Sequence, residues 1–184
     1  MTEIKTNRLL IRNFTSGDWK DLQEVVIDKE ASEYAIYDYQ FPTSENEVKG
    51  ITEWFARGTN FLAVYELSDN KVIGYVSLNG GNNERADLGY CFHSAYHKKG
   101  YATEACVAII NYAFITLNKE KITSGTANLN HPSCRLLTRL GFNKTGEGIA
   151  SFRKPPEGKP IEFLGSAFLL EKNEWLKSNY YQSK

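Results

Sequence analysis

Hydrophobic and polar side chains recur with two different periods in the N-terminal third of the chain. Residues 4–14 alternate between apolar and polar positions and predict a strand. Helical spacing then follows twice, over 16–28 after a capping serine or aspartate and over 43–58 after a capping threonine or serine. Gly58 is expected to end the second helix. The segment ASEYAIYDYQFP between the two helices has no clean period.

A period of two dominates the middle of the chain. The segments FLAVYEL and VIGYVSL, joined by the turn SDNK, predict a β-hairpin. After the polar tip GGNNER, the segment ADLGYCF predicts a third strand, antiparallel to the second. A long helix then begins at Gly100, because apolar side chains recur at helical spacing as far as Leu117. Its apolar stripe is suited to packing on a sheet.

The remaining elements predict the fold class. Residues 121–127 form a short strand, and HPSCRLLTRLGF forms a helix that stops at Gly141. Two more strands, over 142–153 and 160–170, flank the loop RKPPEGKP, and EKNEWL closes as a short helix. The order βααβββαβαββ predicts an α/β (α+β) domain over 1–184, with helices flanking a mixed, largely antiparallel central sheet.

Composition indicates an ordinary globular protein. Of the 184 residues, 41% are hydrophobic and 24% are charged, and 22 basic residues balance 22 acidic ones. With a formal net charge of zero, the chain has no overall field that would hold nucleic acid or an anionic membrane. We therefore expect neither as a partner, and any anion site must be local.

Sequence features also predict a location. The N-terminal segment MTEIKTNRLLIRNF interleaves charges with apolar residues, unlike the apolar core of a signal peptide. No apolar run approaches the ~20 residues of a membrane-spanning helix. The cysteines Cys91, Cys106 and Cys134 are odd in number and lack a paired spacing, which favours reduced thiols. We expect a cytoplasmic protein.

The turn YHKKGYATEA joins a predicted strand to the long helix and carries two lysines beside Gly100. A helix start presents unpaired N–H groups at the positive end of the helix dipole, which suits phosphate. Gly100 would let the backbone approach the anion, although a glycine here can also serve the turn alone. Neither GxxxxGK[ST] nor GxGxxG after a first strand is present, which disfavours nucleoside triphosphate and dinucleotide sites.

Several motifs in order resemble the GNAT acetyltransferases. The segment ADLGYCFHSAYHKKGYATEACVAIINYAF resembles their acetyl-CoA motif, with residues 97–102 at the Q/R-x-x-G-x-G/A loop. The segments TNRLLIRNF, IGYVSL, NHPSCRLLTRLGF and FLLEKNEWL resemble the family's N-terminal strand, third strand, N-x-x-S…L-G-F helix and closing segment. The resemblance runs nearly end to end and follows the branch of the ribosomal-protein N-terminal (alanine/serine) acetyltransferases. It implies the GNAT fold and acetyl-CoA as co-substrate.

The resemblance also implies where coenzyme A binds. The backbone of the loop would hold the pyrophosphate through Lys98, Lys99, Gly100, Tyr101, Ala102 and Thr103. The preceding strand would contact the pantetheine arm and the thioester carbonyl at Cys91 and Phe92, and Asn130 would also contact the coenzyme. His97 departs from the glutamine or arginine that is usual at the first motif position.

Acetyl transfer from a thioester to an amine needs a proton acceptor for the amine and a proton donor for the departing thiolate. By resemblance, Ser133 is the candidate acid, and Asp87 stands where some members carry a glutamate base, so it would act through a water molecule. A first-turn helix serine and a solvated strand carboxylate are the plain structural interpretations of the same two residues. Glu147 and Glu162 are weaker candidates for the base.

In the family, the segment between the first two helices covers the acceptor side of the cleft. Here Tyr34, Tyr37 and Asp38 are candidate acceptor-binding residues, because aromatic rings and a carboxylate suit an ammonium group. The same rings could simply cover the core. A free α-amine, with a pKa of about 7.7 to 8, asks less of a weak base than a lysine amine near 10.4. We therefore predict an α-amine of a peptide or protein N-terminus, or a small amine of comparable pKa.

Other constellations are discounted. Cys91, His93 and His97 have a passable metal spacing but no fourth ligand or carboxylate support, so we expect no metal. Cys134 is interpreted as helix packing rather than as a nucleophile. The predicted function is direct acetyl transfer from acetyl-CoA to a primary amine. A non-catalytic module that binds or senses acyl-CoA and a protein that mediates assembly are the alternatives. The oligomeric state, a homodimer included, stays open.

Overall fold

The computed structural model describes residues 2–80, 84–154 and 158–182. In these residues one sheet contains the strands β1 (Glu3–Lys5), β2 (Leu9–Asn13), β3 (Phe61–Glu66), β4 (Lys71–Asn79), β5 (Arg85–Phe92), β6 (Lys121–Ala127), β7 (Asn143–Arg153) and β8 (Ile161–Glu171). The α-helices are α1 (Trp19–Ala31), α2 (Glu45–Arg57), α3 (Tyr101–Asn111), α4 (His131–Arg139), α5 (Lys172–Trp175) and α6 (Asn179–Gln182). Short 3-10 turns lie at Ser16–Asp18, Ala35–Tyr37 and Ser94–Tyr96, and a π-helical turn at Tyr112–Thr116 continues α3.

The strands are ordered β1-β2-β3-β4-β5-β6-β8-β7 across the sheet. Every neighbouring pair is antiparallel except β5 and β6, which are parallel. The predicted mixed, largely antiparallel sheet flanked by helices is therefore confirmed. A parallel pair needs a long crossover, and here α3 supplies it between β5 and β6.

Helices cover the two faces of the sheet with separate cores. On one face, α3 and α4 pack over a core that includes Leu88, Ile109 and Phe168. On the opposite face, α1 and α2 pack over a smaller core that includes Phe55 and Tyr75. Because side chains alternate along a strand, neighbouring residues of β5 point to different helix pairs. We call these two faces the helix α3/α4 side and the helix α1/α2 side.

The predicted elements agree with the structure except at the N-terminus and at α6, which the prediction did not include. The single strand predicted over 4–14 was wrong, because the chain turns between β1 and β2, which pair with each other. Thr6 makes this turn: its N–H donates to Leu9 O (2.9 Å), and its Oγ1 accepts from the Leu9 N–H (3.0 Å). The first helix extends to Ala31 rather than ending near Asp28. Gly141, with φ of +89°, ends α4 as predicted.

Parts of two predicted loops lie outside the described residues, namely 81–83 in the tip GGNNER and 155–157 in RKPPEGKP. Across the described ranges, no helix combines the length and apolar character needed to cross a bilayer.

Candidate active site

The most prominent feature of the sheet is an opening between β5 and β6. Their pairing ends where Asp87 lies opposite Thr123, although β5 continues to Phe92 and β6 to Ala127. Beyond that point Ser124 Oγ of β6 still donates a hydrogen bond to Leu88 O of β5 (2.9 Å). The strands therefore separate beyond Leu88 and expose backbone groups of β5 on this side.

Alternation along β5 decides which backbone groups face the opening. The carbonyl of Leu88 points to the β6 side, whereas the carbonyl of Cys91 points to β4, where a Cβ on Gly74 would meet it at 2.3 Å. The backbone groups of Tyr90 and Phe92 consequently face the opening. Cys91 faces β4 instead.

The loop after β5 has the backbone conformation of an anion site. Lys98 and Gly100 both have positive φ, of +59° and +86°. The first hydrogen bond into α3 is from the Glu104 N–H to Gly100 O (3.0 Å). Helical geometry thus leaves the N–H groups of Tyr101, Ala102 and Thr103 without an intrahelical acceptor. These donors and the helix dipole fit a pyrophosphate.

Two residues of the turn between β1 and β2 hold the start of α3. The Glu104 carboxylate accepts hydrogen bonds from Thr6 Oγ1 (2.6 Å), from the Arg8 N–H (2.9 Å) and from Arg8 Nε (2.7 Å). Burial alone would raise the pKa of Glu104, but these hydrogen bonds outweigh it and lower the pKa. Arg8 Nη1 also donates to Lys99 O (2.9 Å). The T-x-R motif therefore supports the loop, a role that sequence reasoning missed.

The side chain of His97 is engaged within the loop. Its Nε2 lies 2.8 Å from Phe92 O, at the end of β5. Lys99 places its Nζ over the ring of Tyr96, 5.5 Å from the centroid. His97 thus connects the loop to the opening, which accounts for a residue that departs from the usual motif.

Ser133 and Asn130 lie at the start of α4, on the helix α3/α4 side. Asn130 is the N-cap, and its Oδ1 accepts from the Ser133 N–H (3.2 Å). Ser133 is therefore not the cap, and its Oγ instead lies 2.8 Å from the hydroxyl of Tyr90. Burial raises the pKa of Tyr90 far above its ordinary value, so the phenol stays protonated. Sequence reasoning missed Tyr90, although alternation in ADLGYCF places it on the same face as Leu88.

Asp87 is the last residue of β5 that pairs with β6, and it lies on the helix α1/α2 side. Thr123 Oγ1 donates to Asp87 Oδ1 (2.7 Å). Burial raises the pKa of Asp87 and outweighs both this hydrogen bond and the positive charge of Arg85. The side chain is still accessible to solvent. Asp87 therefore has two properties of a base: access from outside and a raised proton affinity.

The other carboxylate candidates fit the role of base less well. Glu147 is exposed on β7, and hydrogen bonds from Lys144 and Asn128 lower its pKa. Glu162 lies on β8, one position from the first residue of that strand. Both strands lie at the far edge of the sheet beyond β6, whereas Asp87 lies at the opening itself.

The candidate acceptor residues surround a 3-10 turn at Ala35–Tyr37. Tyr34 precedes the turn, and the ring of Tyr37 packs on Phe163 of β8, with centroids 5.2 Å apart. Asp38 pairs with Lys29 at 3.3 Å and is 52% exposed. Asp87 pairs with Thr123, and Thr123 pairs with Leu169 on β8, so Leu169 lies on the same face as Asp87. Phe163 is six residues before Leu169 on the same strand and therefore shares that face. Tyr37 and Asp38 thus lie on the helix α1/α2 side.

The cysteines and histidines have ordinary packing partners. Burial raises the pKa of the Cys91 thiol to about 12. His93 Nδ1 accepts from the Ala95 N–H (3.1 Å), and the Cys134 thiol donates to Ala127 O (3.6 Å). No group of three or more His, Cys, Asp or Glu side chains in the described part of the chain could hold a metal ion.

Comparisons with known proteins agree with this geometry. A family model described as an acetyltransferase (GNAT) domain matches residues 8–143. The uncharacterized N-acetyltransferase YnaD of Bacillus subtilis (strain 168) is 28% identical over 180 residues, which cover 97% of this chain and 94% of that protein. A GNAT-family acetyltransferase from Bacillus anthracis has a TM-score of 0.80 at 23% identity, covering 94% of this chain and 100% of its own. A ribosomal-protein-S5-alanine acetyltransferase from Vibrio fischeri has a TM-score of 0.74 at 19% identity, and the match covers 95% of this chain and 99% of that chain.

Proposed function

The chain belongs to the GNAT acetyltransferase family and is an acetyl-CoA-dependent N-acetyltransferase, and we propose that it moves the acetyl group by direct attack onto a primary amine of low pKa. The acceptor is the α-amine of a peptide or protein N-terminus, or a small amine of comparable pKa. One observation carries this proposal: the opening between β5 and β6 has the Ser133 hydroxyl on one face of the sheet and the Asp87 carboxylate on the other. We further propose that 1–184 forms one catalytic domain.

The loop after β5 is the proposed pyrophosphate site. Its donors are the backbone N–H groups of residues 98–103, and the side chains of Lys98 and Lys99 add positive charge. Asn130 lies at the start of α4 and is proposed to contact the coenzyme there. The pantetheine arm would lie along the exposed edge of β5. We place its backbone contacts at Tyr90 and Phe92 rather than at Cys91, because the Cys91 carbonyl faces β4.

In the reaction, the amine nitrogen attacks the thioester carbonyl, a C–N bond forms and the C–S bond breaks. The Tyr90 N–H is the proposed oxyanion donor, because it faces the opening and its own side chain contacts the proposed acid. Ser133 gives its proton to the departing thiolate and is reprotonated from solvent, and Asp87 takes the amine proton through a water molecule and releases it to solvent. Acid and base thus work from opposite faces of the sheet, so the amine enters from the helix α1/α2 side.

The acceptor class can be tested with one peptide in two forms. Ser-Ala-Lys-Ala amide is prepared with either the lysine amine or the α-amine acetylated, and release of free coenzyme A is measured at pH 7.5. We expect the form with a free α-amine to have the higher kcat/KM. The two amines differ by about 2.5 pKa units, so their neutral fractions differ by about two orders of magnitude.

The same assay can also contradict the proposed acceptor class. Faster acetylation of the lysine amine would overturn the proposed acceptor class. A panel of small primary amines, run beside the peptides, separates a small-molecule acceptor from a protein N-terminus. Equal rates with both peptides would show that the reaction does not depend on amine pKa, and would also contradict the proposal.

We expect Asp87→Asn to lower kcat/KM most at low pH. At pH 6 most of the acceptor amine carries a proton and needs a base, whereas near pH 9 most of it is already neutral. The raised pKa of Asp87 means that the fold disfavours its charged form, so this residue contributes no stability above that pKa. The asparagine variant should therefore unfold at the wild-type temperature or higher at pH 7.

Steady-state rates from pH 6 to 9 check this prediction, with thermal unfolding as the control for folding. A ratio of wild-type to variant activity that stays at one across this range would remove Asp87 as the base. Glu147→Gln provides a matched carboxylate control, because Glu147 is exposed on β7, and it should not change the pH profile.

A further inference from the structure

A largely buried ion pair joins the last turn of α1 to the end of β7. Arg153 Nη1 lies 2.8 Å from Glu30 Oε2, and Arg153 Nη2 donates to Glu30 Oε1 at 2.9 Å. Each side chain is only 14% exposed. Such a two-point contact between guanidinium and carboxylate fixes orientation as well as distance. We call this pair the clasp.

The clasp holds the backbone of the segment before α2. Arg153 Nε donates to Asp38 O (2.7 Å), and its Nη2 lies 3.3 Å from Tyr39 O. Glu30 Oε1 accepts from the Phe41 N–H (3.0 Å). Residues 34–41, called the acceptor strap here, are therefore attached to both partners of the pair.

Further contacts attach the acceptor strap to the same two elements. Lys29 Nζ donates to Tyr39 O (2.6 Å) and pairs with Asp38. The ring of Tyr39 packs on Phe152 of β7, with centroids 4.7 Å apart. Phe152 in turn contacts Phe163, the partner of the Tyr37 ring. The strap contains little regular structure of its own, so these side-chain contacts determine its shape.

The acceptor strap lies beside the opening in the sheet. The ring of Phe41 lies 6.3 Å from the ring of Tyr75 on β4. Tyr75 is the pairing partner of Cys91 on β5, at the level of the opening. A shift of the strap therefore changes the surface beside the opening that an incoming amine would contact. The coenzyme loop follows Phe92 at the same end of β5 and starts α3, where Arg8 and Glu104 support it.

We propose that Glu30 and Arg153 are positioning residues that hold the acceptor strap in the shape that receives the acceptor amine. The inference rests on the proposed function, because it assigns the acceptor to the helix α1/α2 side. Without Arg153, Glu30 keeps only Lys29 and the Phe41 N–H as partners. Without Glu30, the Phe41 N–H loses its acceptor and Arg153 its carboxylate, so the strap must rearrange. Burial would raise the pKa of Glu30, but Arg153, the Phe41 N–H and Lys29 lower it, so the clasp persists at neutral pH.

The test compares Arg153→Met, Glu30→Gln and Arg153→Lys with wild type. Hydrogen–deuterium exchange of the peptide covering the acceptor strap should be faster in the first two variants. With the peptide whose α-amine is free, KM for the peptide should rise about tenfold or more, whereas KM for acetyl-CoA should stay within about twofold. Arg153→Lys keeps the charge but loses the paired contacts, so its values should fall between those of wild type and Arg153→Met.

Arg12→Met is the matched control. Arg12 forms a comparable pair with Asp18 at 2.8 Å, also largely buried, but between β2 and the turn before α1. This variant should lose thermal stability without changing strap exchange or peptide KM. The proposed role of the clasp is contradicted if the strap exchanges no faster in Arg153→Met than in Arg12→Met. It is also contradicted if the KM values for the peptide and for acetyl-CoA rise together. Wild-type enzyme that acetylates neither peptide form nor any small primary amine overturns the proposed acceptor class, and the exchange measurement still decides whether the pair holds the strap.

Discussion

Gly100→Val is expected to abolish the thermal stabilisation that acetyl-CoA gives to the wild-type protein. Gly100 has φ of +86°, which costs a β-branched residue about 1–3 kcal/mol, and a Cβ there would lie 3.3 Å from Arg8 Nη2. The loop must therefore move, and its N–H groups no longer converge. At a coenzyme concentration of about 100 Kd, wild type gains about 2.7 kcal/mol, or about 5–10 °C in Tm for a chain of this size.

Calorimetry and scanning fluorimetry with and without coenzyme check this expectation. Gly148→Val is the matched control, because a Cβ at Gly148 meets nothing within 4 Å and the residue lies on β7, away from the loop. It should keep the full ligand-induced shift. Unchanged coenzyme affinity in a folded Gly100→Val protein would refute the assignment of the pyrophosphate loop.

Local periodicity was sufficient to predict most elements of this fold. Period-two alternation identified β3, β4 and β5, and the helical stripe identified α3, because each element buries one face. The break between β1 and β2 was missed for a local reason. The Thr6 side chain bonds to the Leu9 backbone and makes a turn that the alternation of apolar residues conceals.

Contacts between distant residues account for what the sequence could not predict at the site. Arg8 and Glu104 are 96 residues apart, and Tyr90 and Ser133 are 43 apart. Each residue alone has an ordinary interpretation, as a strand arginine or a first-turn serine. Only the register of the sheet and the packing of α3 and α4 bring the partners together.

The acceptor side of the site was also only partly predictable from the sequence. The segment around Tyr37 was recognised from its rings and carboxylates, but it has no period from which a face could be assigned. Its shape depends on Arg153, which is 123 residues from Glu30 and had no predicted role. The sequence therefore indicated the chemistry of this surface without the contacts that position it.

Ser133→Ala is expected to lower kcat by about a hundredfold or more, the size of effect typical of a lost general acid. Coenzyme affinity should change little, because the Ser133 N–H that bonds to Asn130 remains in the variant. Asn130→Ala should instead weaken coenzyme binding and lower stability by about 1 kcal/mol, since it removes the N-cap of α4. The kcat deficit of Ser133→Ala should shrink as the pH rises above about 8.5, where a thiolate leaves without a proton.

Steady-state kinetics over pH, with calorimetry for the coenzyme, separate the proton donors at this site. Tyr90→Phe should lower kcat less than Ser133→Ala, because the phenol touches Ser133 Oγ and is proposed to orient it rather than to reach the sulfur. A larger loss in Tyr90→Phe would make the tyrosine the acid and contradict the assignment of Ser133. Cys134→Ala is the control for a covalent route, because a mechanism through that thiol would be lost completely, whereas direct attack leaves the variant active.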